Sequence, residues 1–255
     1  MDWIDGITKH DALNMVRTAN IDDLQHWAAA LPPEMVPKFH DEIGENYAAE
    51  PFCLRLCLLV WIASDFTQIP KALQLKAALA FLEKKNSLLY AGTGFGKTMM
   101  VVMAVLLEDP AKDWIVITIS PLKRLQASQG ATFWNKYGIR TLCINEDTTT
   151  VLRPGSISVN QNLVYDARTR KLGSCRNYIV TPEQFFSDGG NHVPAFGELC
   201  REVQRFRQHI KYVFVDEAHF IYTAGTKING VRRASVSWVL LDLPFCGPVL
   251  AHWAC

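Results

Sequence analysis

Charge of one sign is the first thing this 255-residue sequence lacks: 26 lysines and arginines stand against 25 aspartates and glutamates, for a formal net charge of +1. That balance excludes a global basic field, so any nucleic-acid binding must come from local patches. Paired cysteines are missing as well. The seven, at 53, 57, 143, 175, 200, 246 and 255, include no C-x-x-C pair, which argues for a reducing compartment rather than a disulfide framework. Cys53 and Cys57 sit four apart in an apolar helical run and read as buried thiols, not ligands. That run, 52–63, contains Arg55 and is too short to span a bilayer. The opening Met1-Asp2-Trp3-Ile4-Asp5 lacks the basic start of a targeting peptide. Internal repeats and low-complexity tracts are also missing. The expectation is a soluble protein of the nucleus or cytoplasm, with no membrane partner. At 49% hydrophobic residues there is ample material for a core, in one large domain or two small ones.

What is present is a glycine-rich octapeptide, Ala91-Gly92-Thr93-Gly94-Phe95-Gly96-Lys97-Thr98. It is a looser form of G-x-x-x-x-G-K-[ST], with alanine at the first glycine. Ser87-Leu88-Leu89-Tyr90 reads as a buried strand entering it and Met99–Leu107 as a buried helix leaving it. Strand, loop and helix thus follow in the order a phosphate-binding loop requires. Gly92, Gly94 and Gly96 let the backbone curl with N–H groups aimed at phosphate oxygens, beside the positive end of the helix. Lys97 would reach the β and γ phosphates, and Thr98 would offer its hydroxyl to Mg²⁺. Phe95 must point outward to spare the cradle, and Thr93 completes the loop.

A second motif lies downstream. Tyr212-Val213-Phe214-Val215 reads as a central parallel strand and ends in Asp216-Glu217-Ala218-His219. Two carboxylates are thereby placed at the carboxyl edge of a sheet, where open α/β folds bind ligands. Asp216 suits Mg²⁺ through its hydration shell, Glu217 an attacking water, and His219 a sensor of the γ-phosphate.

Together these motifs resemble superfamily 2 helicases, and the Asp-Glu-Ala-His form is similar to that of RecQ-type DNA helicases. Ile69-Pro70-Lys71-Ala72-Leu73-Gln74 resembles that family's adenine-reading motif, which implies nucleotide contacts from Gln74 and from Lys71, where the family commonly has arginine. Ser120-Pro121-Leu122-Lys123-Arg124-Leu125-Gln126 and Val180-Thr181-Pro182-Glu183-Gln184 are similar to the next two helicase motifs. Ser120 and Thr181 read as helix caps, with Pro121 and Pro182 at first helical positions. Free N–H groups there, with Lys123 and Arg124, suit sequence-independent contact with a nucleic-acid backbone. Arg168, Arg170, Lys171 and Arg176 form a further basic cluster.

The resemblance implies an α/β, RecA-like P-loop NTPase domain, a parallel sheet flanked by helices, over residues 66–255. Strands are expected at Ser87, Trp114, Thr141, Tyr178, Tyr212 and Val249. Residues 1–65 are expected to form a helical segment separate from the sheet, with Asn20 and Asp23 capping one helix and Pro51 opening another. The implied activity is ATP-driven, 3′-to-5′ DNA unwinding in repair and recombination, with ATP and Mg²⁺ as cofactors and DNA as partner. An RNA helicase of the related branch is the less favoured reading. After His219 the pattern departs from the family. Phe220, Tyr222 and Gly225 start an aromatic-rich loop that aligns only loosely, and Val249-Leu250 runs into Ala251-His252-Trp253 instead of Ser-Ala-Thr. The second RecA-like domain, source of transition-state arginines, has no counterpart in the sequence. A truncated helicase is therefore expected, with its ATP-binding domain as the favoured reading, a non-catalytic ATP-, DNA- or partner-binding module as the rival, and another helicase chain as a source of the missing domain.

Overall fold

The structure is a computed structural model that describes residues 4–31, 33, 49–83, 85–92, 94–145, 147, 164–166, 171–185, 195–217, 227–228, 231–232 and 249–253. Six strands form one parallel sheet: β1 Ser87–Tyr90, β2 Ile115–Ile119, β3 Thr141–Ile144, β6 Asn177–Val180, β7 Ile210–Val215 and β10 Val249–Trp253. Their spatial order is β1-β10-β7-β2-β6-β3. Each expected strand is present, but β1 is an edge strand with Leu88 and Tyr90 exposed rather than the buried strand expected. Two antiparallel pairs, β4 Tyr165–Asp166 with β5 Lys171–Leu172 and β8 Lys227–Ile228 with β9 Val231–Arg232, stand outside this sheet.

Alternation along the strands divides the apolar side chains between two faces. Val116 of β2, Ile179 of β6 and Tyr212 and Phe214 of β7 enter one core; Ile115, Ile117, Ile119, Tyr178, Val180, Val213 and Val215 enter the other. A register shift between Ile115 and Val116 pairs them with Ile210 and Tyr212, so Lys211 is the extra residue and points outward. The first face is covered by α4 Ala72–Leu82 and α5 Met99–Leu107, with α3 Glu50–Ala63 packed on α5 and Phe81 of α4 packed 4.8 Å from both the Tyr212 and Phe214 rings. The second is covered by α7 Ala195–Glu202, α8 Gln204–His209 and the 3₁₀ turn Pro182–Phe185. Helix α6, Lys123–Tyr137, sends Phe133 and Tyr137 into the first core.

The N-terminal helices do not stand apart from the sheet as the sequence suggests. Helices α1 Lys9–Thr18 and α2 Ile21–Ala28 pack on α3, which packs on α5, and Val16, Leu24 and Leu58 share a core with Val116 and Phe214. The reason is that α3 is apolar on every side, so it needs cover on both. Arg17 Nε donates to Leu106 O at 2.8 Å, and Arg55 donates to Val16 O and Ala19 O at 3.1 and 2.7 Å, so guanidinium groups close the ends of α5 and α1. Asn20 caps α2 by accepting from Asp23 N at 2.9 Å, and Pro51 occupies the first turn of α3. No helix among the described residues is long and apolar enough to cross a membrane.

Candidate functional site

The parallel ladder sets the motif starts side by side. Asp216 N donates to Ile119 O at 2.8 Å, Ser120 N to Val180 O at 2.9 Å and Thr181 N to Ile144 O at 3.1 Å. Asp216, Ser120 and Thr181, distant in sequence, therefore form one row along the carboxyl edge of β7, β2, β6 and β3.

The glycine loop lies between β1 and α5. Gly94 and Gly96 have φ of +78° and +82°, the left-handed conformation that glycine adopts without a Cβ penalty. Gly92 has no such angle. Thr98 ends the loop as the residue before α5. Phe95 is half-buried and packs against the first core, with Lys71 Nζ 5.4 Å from its ring centroid. Gln74, 2% exposed, accepts from Lys71 N at 2.7 Å and donates to Phe95 O and Gly96 O at 2.9 and 3.0 Å. Its amide is thus engaged in holding the loop.

Lys97 Nζ is buried without a hydrogen-bond partner and lies 3.9 Å from Glu217 Oε1. The two side chains are 11% and 20% exposed. A buried ammonium with unused donors suits an incoming anion, since burial makes each unmade bond costly. Asp216 is 7% exposed and accepts from Gln129 Nε2 at 2.9 Å. Glu217 has φ +53°, a strained angle for a side-chain-bearing residue of the kind that collects at functional sites. Among the described residues no group of three or more His, Cys, Asp or Glu is gathered around a metal position. Mg²⁺ does not require one, because it keeps several waters and is held by one or two carboxylates with substrate phosphates.

The two strand-to-helix turns differ in detail from the sequence expectation. Helix α6 starts at Lys123, its cap position is Leu122, and no side chain caps it. Ser120 is drawn into the ladder by its bond to Val180 O, so Pro121 and Leu122 make the turn. The Ser120 hydroxyl is buried with no hydrogen-bond partner, and Thr181 is buried too. Thr181 O accepts from Gln184 N, and Pro182 begins a 3₁₀ turn rather than an α-helix. Arg124 is exposed, while Lys123 Nζ lies 3.5 Å from Asp147 Oδ2. Of the further basic cluster, Lys171 is exposed and Arg176 pairs with Asp113 at 3.5 Å. Thr93, His219, Phe220, Tyr222, Gly225, Arg168 and Arg170 lie outside the described residues.

The family model of the DEAD/DEAH box helicases matches residues 71–234, which hold the glycine loop, the carboxylate pair and both turns. The chain belongs to the DEAD/DEAH box helicase family. Its six-stranded sheet with helices on both faces is the RecA-like fold of superfamily 2, and it is an ATP-binding helicase module. Helicase domains bind ATP, usually with Mg²⁺, and the family suggests nucleic acid as partner. No curated protein matches the chain.

Sequence reasoning missed Gln129. Its partner is 87 residues away in sequence, and no short motif spans such a gap. A helical reading would have found part of it: Gln126, Gln129 and Phe133 follow three- and four-residue spacing, and Gln126 and Phe133 are buried.

Proposed function

We propose that this helicase module is RecQ-like, acting on DNA with 3′-to-5′ polarity in repair and recombination. The observation that carries the ATP site is the buried Lys97 ammonium, without a hydrogen-bond partner and 3.9 Å from Glu217, at the glycine loop. The Asp-Glu-Ala-His form and the segment from Ile69 to Gln74 support the RecQ-like branch over an RNA helicase. In this reading residues 66–255 are the ATP-binding domain and residues 1–65 a helical segment. Gly92, Thr93, Gly94, Phe95 and Gly96 surround the phosphates, and Lys97 neutralises them. Thr98 and Asp216 hold Mg²⁺, Glu217 positions water and His219 senses the γ-phosphate. Lys71 and Gln74 meet the base, which requires Gln74 to yield a bond to the loop. Ser120, Lys123, Arg124 and Thr181 face the nucleic-acid backbone, the two hydroxyl residues through a rearrangement that uncovers them. ATP with Mg²⁺ supplies the phosphoryl group and the charge that bridges its phosphates.

The test is binding and hydrolysis of ATP by the 255-residue chain, with and without single-stranded DNA or RNA, beside Lys97→Ala. Hydrolysis stimulated by DNA and abolished by the substitution supports the proposal. Stronger stimulation by RNA would overturn the DNA assignment, and binding without turnover would leave a nucleotide-binding module only. Failure to bind any nucleotide would remove the ATP site itself.

A further inference from the structure

Gln129 lies on α6, and its side chain crosses to β7's end, where Nε2 donates to Asp216 Oδ2 at 2.9 Å. A carboxylate only accepts, so the NH₂ group must be the end of the amide that faces it. The other end is thereby fixed: Gln129 Oε1 is buried with no hydrogen-bond partner. The bond restrains one carboxylate oxygen and so limits where the second oxygen can point. The bare Oε1 has a standing cost, so the amide's orientation is set by its bond to Asp216. The same helix begins at Lys123, six residues or about 9 Å along its axis from Gln129.

We propose that Gln129 is a positioning residue for Asp216, holding that carboxylate in the orientation that receives hydrated Mg²⁺. The inference rests on the assignment of Asp216 to Mg²⁺ made above. Supporting groups behind metal-binding carboxylates typically govern metal affinity by about 10- to 100-fold. Gln129→Met keeps the length and removes the donor. Gln129→Asn keeps the polarity and falls short by one methylene, and it serves where the methionine variant does not fold.

The experiment titrates Mg²⁺ into the full chain with a fluorescent ATP analogue and reads the Mg²⁺ concentration at half-saturation. Both variants should need about 10- to 100-fold more Mg²⁺, while analogue affinity in chelator stays within about twofold of the parent. In an Asp216→Ala background, Gln129→Met should have no further effect on the Mg²⁺ midpoint. Unchanged midpoints in both variants, or an equal effect with Asp216 removed, would overturn the proposal while the ATP site stands. A parent chain that binds no analogue would defeat the ATP site and, with it, the role of Gln129.

Discussion

Gln74 Nε2 donates to Gly96 O at 3.0 Å and lies 3.0 Å from the point where a Cβ on Gly96 would stand. The glycine is therefore fixed twice, by its φ of +82° and by the amide pressed against it. Gly96→Ala should cost about 1–3 kcal/mol through backbone strain and push Gln74 off the loop. Gln74→Ala should cost about 1–3 kcal/mol by leaving two carbonyls without their donor. Denaturant unfolding measures both, and the double variant should lose less than the sum because the two changes disturb one contact.

This pairing also marks the limit of what the sequence could convey. The run Met99–Leu107 after the glycine loop predicted its helix to the residue, because nine apolar side chains following a phosphate-binding loop have the length and position of its helix. The runs at Ile115 and Tyr212 were legible as strands because short stretches of β-branched and aromatic residues fit a buried pleated sheet. Gln74 was legible as a nucleotide residue by resemblance, yet its grip on Phe95 and Gly96 was not. That contact depends on α4 lying beside the loop, a tertiary fact. Ser120 was misread as a cap because local rules favour serine there, whereas a parallel neighbour extended the ladder through it. The apolar stretch 52–63 announced burial, but not that α5 would supply one wall and α1 and α2 the other.

Lys97→Met isolates ligand binding from folding. The ammonium has no hydrogen-bond partner and its ion pair is long at 3.9 Å. Removing it should leave unfolding free energy within about 1 kcal/mol, or raise it slightly. Nucleotide affinity should fall about 10- to 100-fold, the worth of charged hydrogen bonds to phosphate. Thermal melting with and without ATP separates the two: similar melting alone, and loss of the ATP-induced rise in Tm.

Alkaline pH should weaken the fold through its buried thiols. Burial pushes Cys53 from the ordinary 9.0 up to about 12, with Glu50 adding to the shift, and burial also raises Cys57, beside it, and Cys200. Between pH 9 and 12 the unfolded chain sheds the Cys53 proton that the folded chain keeps. The unfolded state then binds fewer protons, so stability is complete below pH 9 and falls as pH rises. Cys53→Ala with Cys57→Ala should flatten that decline in denaturant midpoints measured across the window, despite a lower stability at neutral pH.

The N-terminal helices should unfold together with the sheet. Arg55 ties α3 to the end of α1, and Arg17 ties α1 to Leu106 at the end of α5. Arg55→Leu leaves Val16 O and Ala19 O without their donor and should cost about 1.5–3 kcal/mol, the value of charged hydrogen bonds. Fluorescence and circular dichroism should still report one coincident transition. A separate early transition in the variant would mean that α1 and α2 fold as their own unit.

Lys123 and Arg124 differ in how ready they are for a phosphate. Arg124 is exposed, whereas Lys123 is 3.5 Å from Asp147, whose side chain is 80% exposed. A surface pair of that kind is worth about 0–1 kcal/mol and yields readily to a stronger anion. Arg124→Ala should therefore weaken single-stranded DNA binding equally across sequences and reduce the salt slope by about 1. Asp147→Asn should act in the opposite direction, strengthening binding by releasing Lys123. The pair of variants is measured by DNA titrations over a range of salt concentrations. A loss confined to particular sequences would show base reading instead of phosphate contact, and an Asp147→Asn chain with unchanged affinity would place Lys123 away from the nucleic-acid path.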